Sequence, residues 1–130
     1  MGFKQMGGVL SLEKRVLQER QRRLALGFDY DFGDARGVHR IGTTDADMAG
    51  WDEVTKIAQA LINGGFGSTT IDIVTDTGPA TVTAVEWQSI LIAAGQFRQP
   101  IWAASFALQA LAATTGIPVD FTDDSYWTAP

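Results

Sequence analysis

Hydrophobic and polar positions along the chain repeat with two different periods, and each change of period marks a new element. Alternation of β-branched or aromatic residues with polar ones predicts strands at residues 28–32, 38–41, 69–75 and 80–82. Apolar residues spaced three or four positions apart predict helices at residues 9–26, 44–63 and 83–113. The pattern therefore predicts a single small α+β domain in the order helix, hairpin, helix, hairpin, helix.

Capping and turn residues support these boundaries. Thr44 with Asp47, and Thr83 with Glu86, have the spacing of a capping box, in which each side chain bonds to the other residue's amide. Residues 76–79, Asp-Thr-Gly-Pro, are typical of a turn, because Asp bonds its own backbone, Gly accepts positive φ and Pro presets the bend. The two strands around this turn are predicted to lead directly into the last helix.

The last helix is the most hydrophobic segment, and Pro100 lies inside it. Proline removes one backbone hydrogen bond from a helix. A straight helix of thirty residues would be about 45 Å long, which exceeds the size expected for the rest of the domain. We therefore expect a long helix that is kinked near residues 94–97 or broken into two packed helices, with both hairpins packed against it.

Composition restricts the class of protein. A chain of 130 residues without cysteine fits one domain and has no disulfide or thiolate metal site. Residues 1–40 hold eight of the ten Lys and Arg residues and five of the fifteen acids, so the remaining chain is strongly acidic. An acidic body argues against nucleic-acid binding, which needs clustered cations. No segment has the uninterrupted apolar length of a membrane span, so none is expected.

The two ends of the chain are predicted to differ from the middle. We expect a flexible lead-in at residues 1–8, which lacks the apolar core of a signal peptide, a domain at residues 9–116, and an acidic, aromatic arm at residues 117–130. The charged face of the first helix is either solvated, with pairs such as Glu19–Arg23, or docked on a neighbouring subunit. The arm either folds back on its own domain or docks on a partner.

These terminal segments supply the candidate partner-binding residues. The first helix carries leucines seven residues apart and arginines between them, and the arm carries three aromatic residues. The candidates are Leu10, Leu17, Leu24, Arg20, Arg23, Phe121, Tyr126 and Trp127.

The sequence contains no pattern of catalytic or metal-binding residues. Phosphate loops, zinc motifs and nucleophile elbows are absent, and the only histidine, His39, is predicted to be a surface or cross-strand hydrogen-bond partner. The acids near the start of the second helix, Asp45, Asp47, Asp52 and Glu53, suit amide capping better than a cation site. We predict a protein that is not an enzyme and that binds no metal and no cofactor.

Three segments carry a resemblance to a known family. They are Gly27-Phe28-Asp29-Tyr30-Asp31-Phe32, Thr43-Thr44-Asp45 with Trp51-Asp52-Glu53-Val54, and Thr83-Ala84-Val85-Glu86-Trp87. Together they resemble the DUF4376 family, a domain of unknown function in phage and prophage proteins, often at the end of tail-fibre or tail-fibre-assembly proteins. The resemblance covers roughly Leu10 to Ala113, most of the chain, and rests on caps, turns and core aromatics.

The resemblance implies a tail-associated function without catalytic residues. The leading hypothesis is a structural component of a bacteriophage tail, at the tip or at fibre attachment. Such a component would be made in the host cytoplasm, located in the virion and present in several symmetric copies. Its partners would be other tail proteins or the tail-fibre protein. The alternatives are a tail-fibre assembly chaperone that leaves the finished particle, and a small carbohydrate-binding module using the aromatic, Asp-rich hairpin.

Overall fold

A computed structural model of the chain describes residues 10–128. Within that range the elements are α1 (Leu12–Leu24), β1 (Phe28–Asp31), β2 (Val38–Ile41), α2 (Asp45–Asn63), β3 (Thr70–Thr75), β4 (Gly78–Thr83) and α3 (Ala84–Ala110), with short 3-10 turns at Leu111–Ala113 and Asp124–Tyr126. The predicted α+β class and the predicted element order are confirmed. The predicted lead-in, residues 1–8, lies outside the described residues.

The chain divides into two compact units. Residues 25–97, the core unit, hold both hairpins, α2 and the first half of α3. The terminal unit, whose described residues are 10–24 and 98–128, holds α1, the second half of α3 and the described part of the C-terminal arm. The domain boundaries predicted at residues 8 and 116 stay predictions.

The core unit buries one side of its second hairpin against two helices. Its buried cluster consists of Ala58, Ile73, Ala80, Val82, Ala84, Trp87 and Ile90. Strands β3 and β4 alternate between exposed and buried positions, as expected for a sheet with one covered face. The ring of Trp87 lies 5.2 Å from that of Trp51, and its Nε1 donates to the Thr55 hydroxyl at 3.0 Å. Packing and the indole hydrogen bond together fix the start of α3 on α2.

The turn between β3 and β4 is tighter than the sequence predicted. Thr75 pairs with Gly78, so the turn consists of Asp76 and Thr77 alone. The prediction that Pro79 belongs to the turn is wrong, because Pro79 pairs with Val74 inside β4. Gly78 has a φ of +133°, which only glycine adopts readily, and this lets β4 begin directly after the two-residue turn.

Both predicted capping boxes are present. The Thr44 amide donates to the Asp47 carboxylate at 3.1 Å and the Asp47 amide donates to the Thr44 hydroxyl at 3.2 Å. At the start of α3, the Thr83 amide donates to Glu86 at 2.8 Å and the Glu86 amide donates to the Thr83 hydroxyl at 3.0 Å. Each box satisfies amides that the first helical turn leaves without intrahelical partners.

Helix α3 continues through Pro100 without interruption. The alternative of a break into two helices is therefore wrong. Proline removes one hydrogen bond, whereas Ile101, Ser105 and Leu108 in the following turns are buried. Burial of that face favours continuation of the helix over a break. In the part of the chain that the structure describes, no helix is both long and apolar enough to cross a bilayer.

Arg36 connects the β1–β2 turn to the start of α3. Its guanidinium lies 2.6 Å from Asp34 and 2.6 Å from Glu86, and it donates to the Thr81 carbonyl at 2.9 Å. Hydrogen bonds from Arg36 lower the pKa of Asp34 to about 2 and hold the pKa of Glu86 below its ordinary value of 4.5.

Replacement of Arg36 should change how the free energy of unfolding depends on pH. When a carboxylate has a lower pKa in the folded protein than in the unfolded chain, it stabilises the fold at every pH above the unfolded value. This stabilisation is lost as the pH falls through the pKa of the folded state. We expect Arg36→Gln to be less stable than the wild type at pH 7, with the difference shrinking from about pH 4.5 toward pH 2. Urea unfolding followed by circular dichroism at each pH measures this. Lys56→Gln, which removes an exposed pair with Asp52, is the control and should have little effect. A stability difference between the variant and the wild type that did not change with pH would show that Arg36 does not lower the pKa of Asp34 and Glu86.

Candidate protein-binding surface

The C-terminal arm folds back onto α1 through Arg23. This side chain is buried and donates to Glu19 at 2.7 Å, to the Thr122 carbonyl at 2.8 Å and to Asp124 at 2.8 Å. Its guanidinium also lies 5.0 Å from the centre of the Trp127 ring. One arginine thus holds α1 and two parts of the arm together. The predicted Glu19–Arg23 pair is present, but it is buried rather than solvated.

Glu19 accepts from two arginines at once. Arg22 donates to both of its carboxylate oxygens, at 3.0 and 2.6 Å, and Arg23 donates to the second oxygen. The hydrogen bonds from Arg22, followed by those from Arg23, outweigh burial and lower the pKa of Glu19. The carboxylate is therefore charged at neutral pH, and its partners compensate for its removal from water.

Two aromatic side chains anchor the arm. Phe121 and Trp127 are both buried, and the Trp127 indole donates to the Phe121 carbonyl at 2.7 Å. The Arg15 guanidinium lies 5.5 Å from the centre of the Phe121 ring. Of the two alternatives for the arm, folding back is the one that the structure shows.

The other candidate partner-binding residues lie in different surroundings. Leu10 is exposed and precedes α1, which starts at Leu12 rather than at the predicted Val9; Leu17 is half-buried and Leu24 is buried. Arg20 lies 4.4 Å from the centre of the Trp102 ring and donates to the Ser105 hydroxyl at 3.1 Å. Tyr126 is exposed and donates to Asp120 at 3.0 Å. Partner contact by any of the eight candidates stays a prediction.

A shallow groove runs beside the arm in the terminal unit. Its volume is about 450 Å³, and most of its lining atoms are apolar. It is lined by Gln99, Pro100, Ala103, Ala104, Ala107, Tyr126 and Thr128. No charged side chain borders it, so the groove has no group that would select a charged small molecule.

One face of α3 carries exposed apolar side chains, which sequence reasoning missed. Val85, Ile92 and Phe106 are exposed by 56%, 64% and 57%. They belong to a set of exposed positions spaced alternately four and three residues apart, which we call the α3 stripe. It consists of Val85, Ser89, Ile92, Gln96, Gln99, Ala103, Phe106 and Ala110.

The α3 stripe carries no charge along the whole helix. The two charged residues of α3, Glu86 and Arg98, lie off the stripe; Glu86 binds Arg36, and Arg98 donates to the Leu24 carbonyl at 3.3 Å. Helices with an ordinary solvated face carry charged residues there. A surface of this length with large apolar groups and no charge is typical of a protein contact. The absence of charged residues at these positions was the sequence signal for it.

Three polar residues of the core unit that could carry chemistry are bonded to other groups of the protein. His39 is buried rather than on the surface, and its Nδ1 lies 2.7 Å from the Thr75 hydroxyl on the other hairpin. Asp47 serves its capping box, and Asp29 lies 3.2 Å from Arg40. Among residues 10–128, no three His, Cys, Asp or Glu side chains are grouped so that they could hold a metal ion.

A scan against protein-family models finds no match for this chain, and no curated protein or solved structure is significantly similar to it. The resemblance of its three segments to the DUF4376 family therefore stays a prediction.

Proposed function

We propose that this protein is a non-enzymatic structural component of a bacteriophage tail, at the tip or at fibre attachment, that acts through protein–protein contacts. The observation that supports protein binding is the α3 stripe, with three large apolar side chains more than half exposed on a helix of 27 residues. The placement in a phage tail is supported by the resemblance alone.

The aromatic hairpin does not favour the carbohydrate-binding alternative. Sugar binding needs open ring faces beside polar groups. Tyr30 packs edge-on against Phe32 with ring centres 5.0 Å apart, and Phe32 contacts both His39 and the Arg36 guanidinium. Phe28 packs against Phe97 at 5.5 Å. These rings contact one another instead of presenting a platform.

Mass spectrometry of purified, tail-intact particles tests the proposed role. Copy number should be calibrated against the major tail protein of the phage or prophage that encodes the chain. We expect a fixed, small number of copies per particle, because tail structures are symmetric assemblies. Absence from particles would contradict the structural role. Co-purification with unassembled fibre from lysates would then assign the chain to fibre assembly instead.

A further inference from the structure

We infer that the outer edge of β3 binds an extended, basic segment of a partner protein, which adds to the second hairpin as a third strand. The site lies entirely within the core unit and shares no residue with the α3 stripe. It is a second contact surface with a partner of stated chemistry, so it goes beyond the proposed function and does not depend on the placement in a phage tail.

The ladder of the second hairpin determines which backbone groups of β3 point outward. The Ala84 amide donates to the Thr69 carbonyl at 3.0 Å, so these two residues form a hydrogen-bonded pair next to the first pair of the ladder. Such pairs alternate with non-hydrogen-bonded ones, so Thr70, Asp72 and Val74 direct their N–H and C=O groups away from β4. In the described part of the chain, no hydrogen bond reaches these six groups. This edge is therefore open to another strand.

The opposite edge of the same hairpin is closed to strand addition. Pro79 has no N–H to donate. The Thr81 carbonyl accepts from Arg36 at 2.9 Å, and the Thr83 amide donates to Glu86 at 2.8 Å. Proteins protect edge strands with proline and by occupying their backbone groups. Strand β4 is protected in this way, whereas β3 is not.

The strands of the first hairpin do not offer a comparable edge. Strands β1 and β2 are four residues long, and the Arg40 carbonyl of β2 already accepts from the Asp76 amide at 2.9 Å. The Arg40 amide donates to the Thr77 hydroxyl at 3.1 Å. Strand β3 has six residues and is about 20 Å long, the usual length of a strand in a sheet. Its edge can therefore pair with a complete strand.

A groove of about 190 Å³ borders β3 at Val74. Its other walls are Ala46, Asp47, Gly50 and Trp51, at the start of α2. The Val74 side chain is 73% exposed, and a Cβ added at Gly50 would meet no atom within 4 Å. Domains that bind peptides by strand addition combine backbone hydrogen bonds with space for alternate side chains. The open edge and this groove supply both.

Acidic side chains favour a basic partner segment. Asp72 is exposed on β3, and a side chain at residue 42, which is glycine, would collide with the carboxylates of Asp47 and Asp76. In the part of the chain that the structure describes, none of these three acids forms an ion pair with Lys or Arg. The core unit as a whole holds ten acids and three basic residues. Charge complementarity therefore favours a strand in which basic residues alternate with apolar ones.

A seven-residue peptide of alternating lysine and valine, blocked at both ends, is the probe for this site. Titration of the full chain, followed by nuclear magnetic resonance, should give a dissociation constant on the order of 100 μM, because one added strand makes a small interface. Hydrogen exchange should slow at the amides of Thr70, Asp72 and Val74. A peptide of alternating glutamate and valine should bind at least about ten-fold more weakly. No binding at about 1 mM, equal binding of the two peptides, or slowed exchange at Thr81 instead would overturn the inference.

A proline variant tests the backbone groups of the edge. Val74→Pro removes an outward N–H and no hydrogen bond of the hairpin, so it should raise the dissociation constant at least about ten-fold. Thr81→Pro changes the other edge of the same hairpin and is the matched control, which should bind as the wild type does. Circular dichroism and urea unfolding measure whether both variants fold. Equal binding by the two folded variants would overturn the inference.

A larger side chain at Gly50 tests the groove without changing the strand. Gly50→Leu should keep or raise stability, because the added Cβ meets no atom and glycine is unfavourable inside a helix. It should raise the dissociation constant about ten-fold by filling the groove. Ala49→Leu, at an exposed position of α2 outside the groove lining, is the control and should have no effect. Unchanged binding by Gly50→Leu would overturn the site. These assays need no phage particle, so their failure is separate from failure of the tail role.

Discussion

Trp87→Ala should lower the free energy of unfolding of this protein by about 4 kcal/mol. Trp87 is 1% exposed, lies in the buried cluster of the core unit and packs against Trp51. Truncation to alanine removes most of this buried surface and leaves a cavity between α2 and α3. It also leaves the Thr55 hydroxyl without the indole N–H that donates to it.

Urea unfolding followed by far-ultraviolet circular dichroism measures the loss, since fluorescence would change with the tryptophan itself. Ile92→Ala is the control on the same helix; because Ile92 is 64% exposed, it should change stability by less than about 0.5 kcal/mol. Similar losses in the two variants would contradict the described core.

Arg23→Ala should lower the free energy of unfolding by about 3 kcal/mol, whereas Arg22→Ala should cost at most about 1 kcal/mol. Both arginines bind Glu19, so the pair is a matched comparison. The Arg22 side chain is 57% exposed, whereas that of Arg23 is 10% exposed and also donates to the Thr122 carbonyl. Loss of Arg23 leaves a buried carboxylate and a carbonyl without this donor. The contact with Asp124 adds little, because Asp124 is itself exposed.

Hydrogen exchange separates the effect on the arm from the effect on overall stability. We expect Arg23→Ala to speed amide exchange in residues 121–127 more than in α2, because Arg23 contacts the arm directly. Arg22→Ala should leave exchange in the arm unchanged. Equal exchange in the arm for the two variants would show that Arg23 does not hold it.

The α3 stripe was hidden in the sequence by the composition of its helix. Helix α3 has apolar residues on every side, so its buried and exposed positions have similar hydrophobicity. A periodicity argument finds an amphipathic helix by the contrast between two faces, and here the contrast is missing. Once Trp87, Ile90 and Ile101 are known to be buried, the exposed positions of the helix can be recognised as the α3 stripe.

Local sequence chemistry determined the elements of this protein. The capping boxes at Thr44 and Thr83, and the alternation over residues 28–31, were predicted because each depends on residues three positions apart or fewer. The Glu19–Arg23 pair belongs to the same group, since residues four apart on a helix are neighbours. For these features the sequence alone was sufficient.

Contacts between distant residues decided the rest. Arg23 meets Thr122 and Asp124 only because the arm folds back, and His39 is buried against Thr75 only because the two hairpins are adjacent. The continuation of α3 through Pro100 likewise accompanies burial of the following turns. These outcomes depend on which surfaces exclude water together, and that information is in the tertiary packing rather than in any short stretch of sequence.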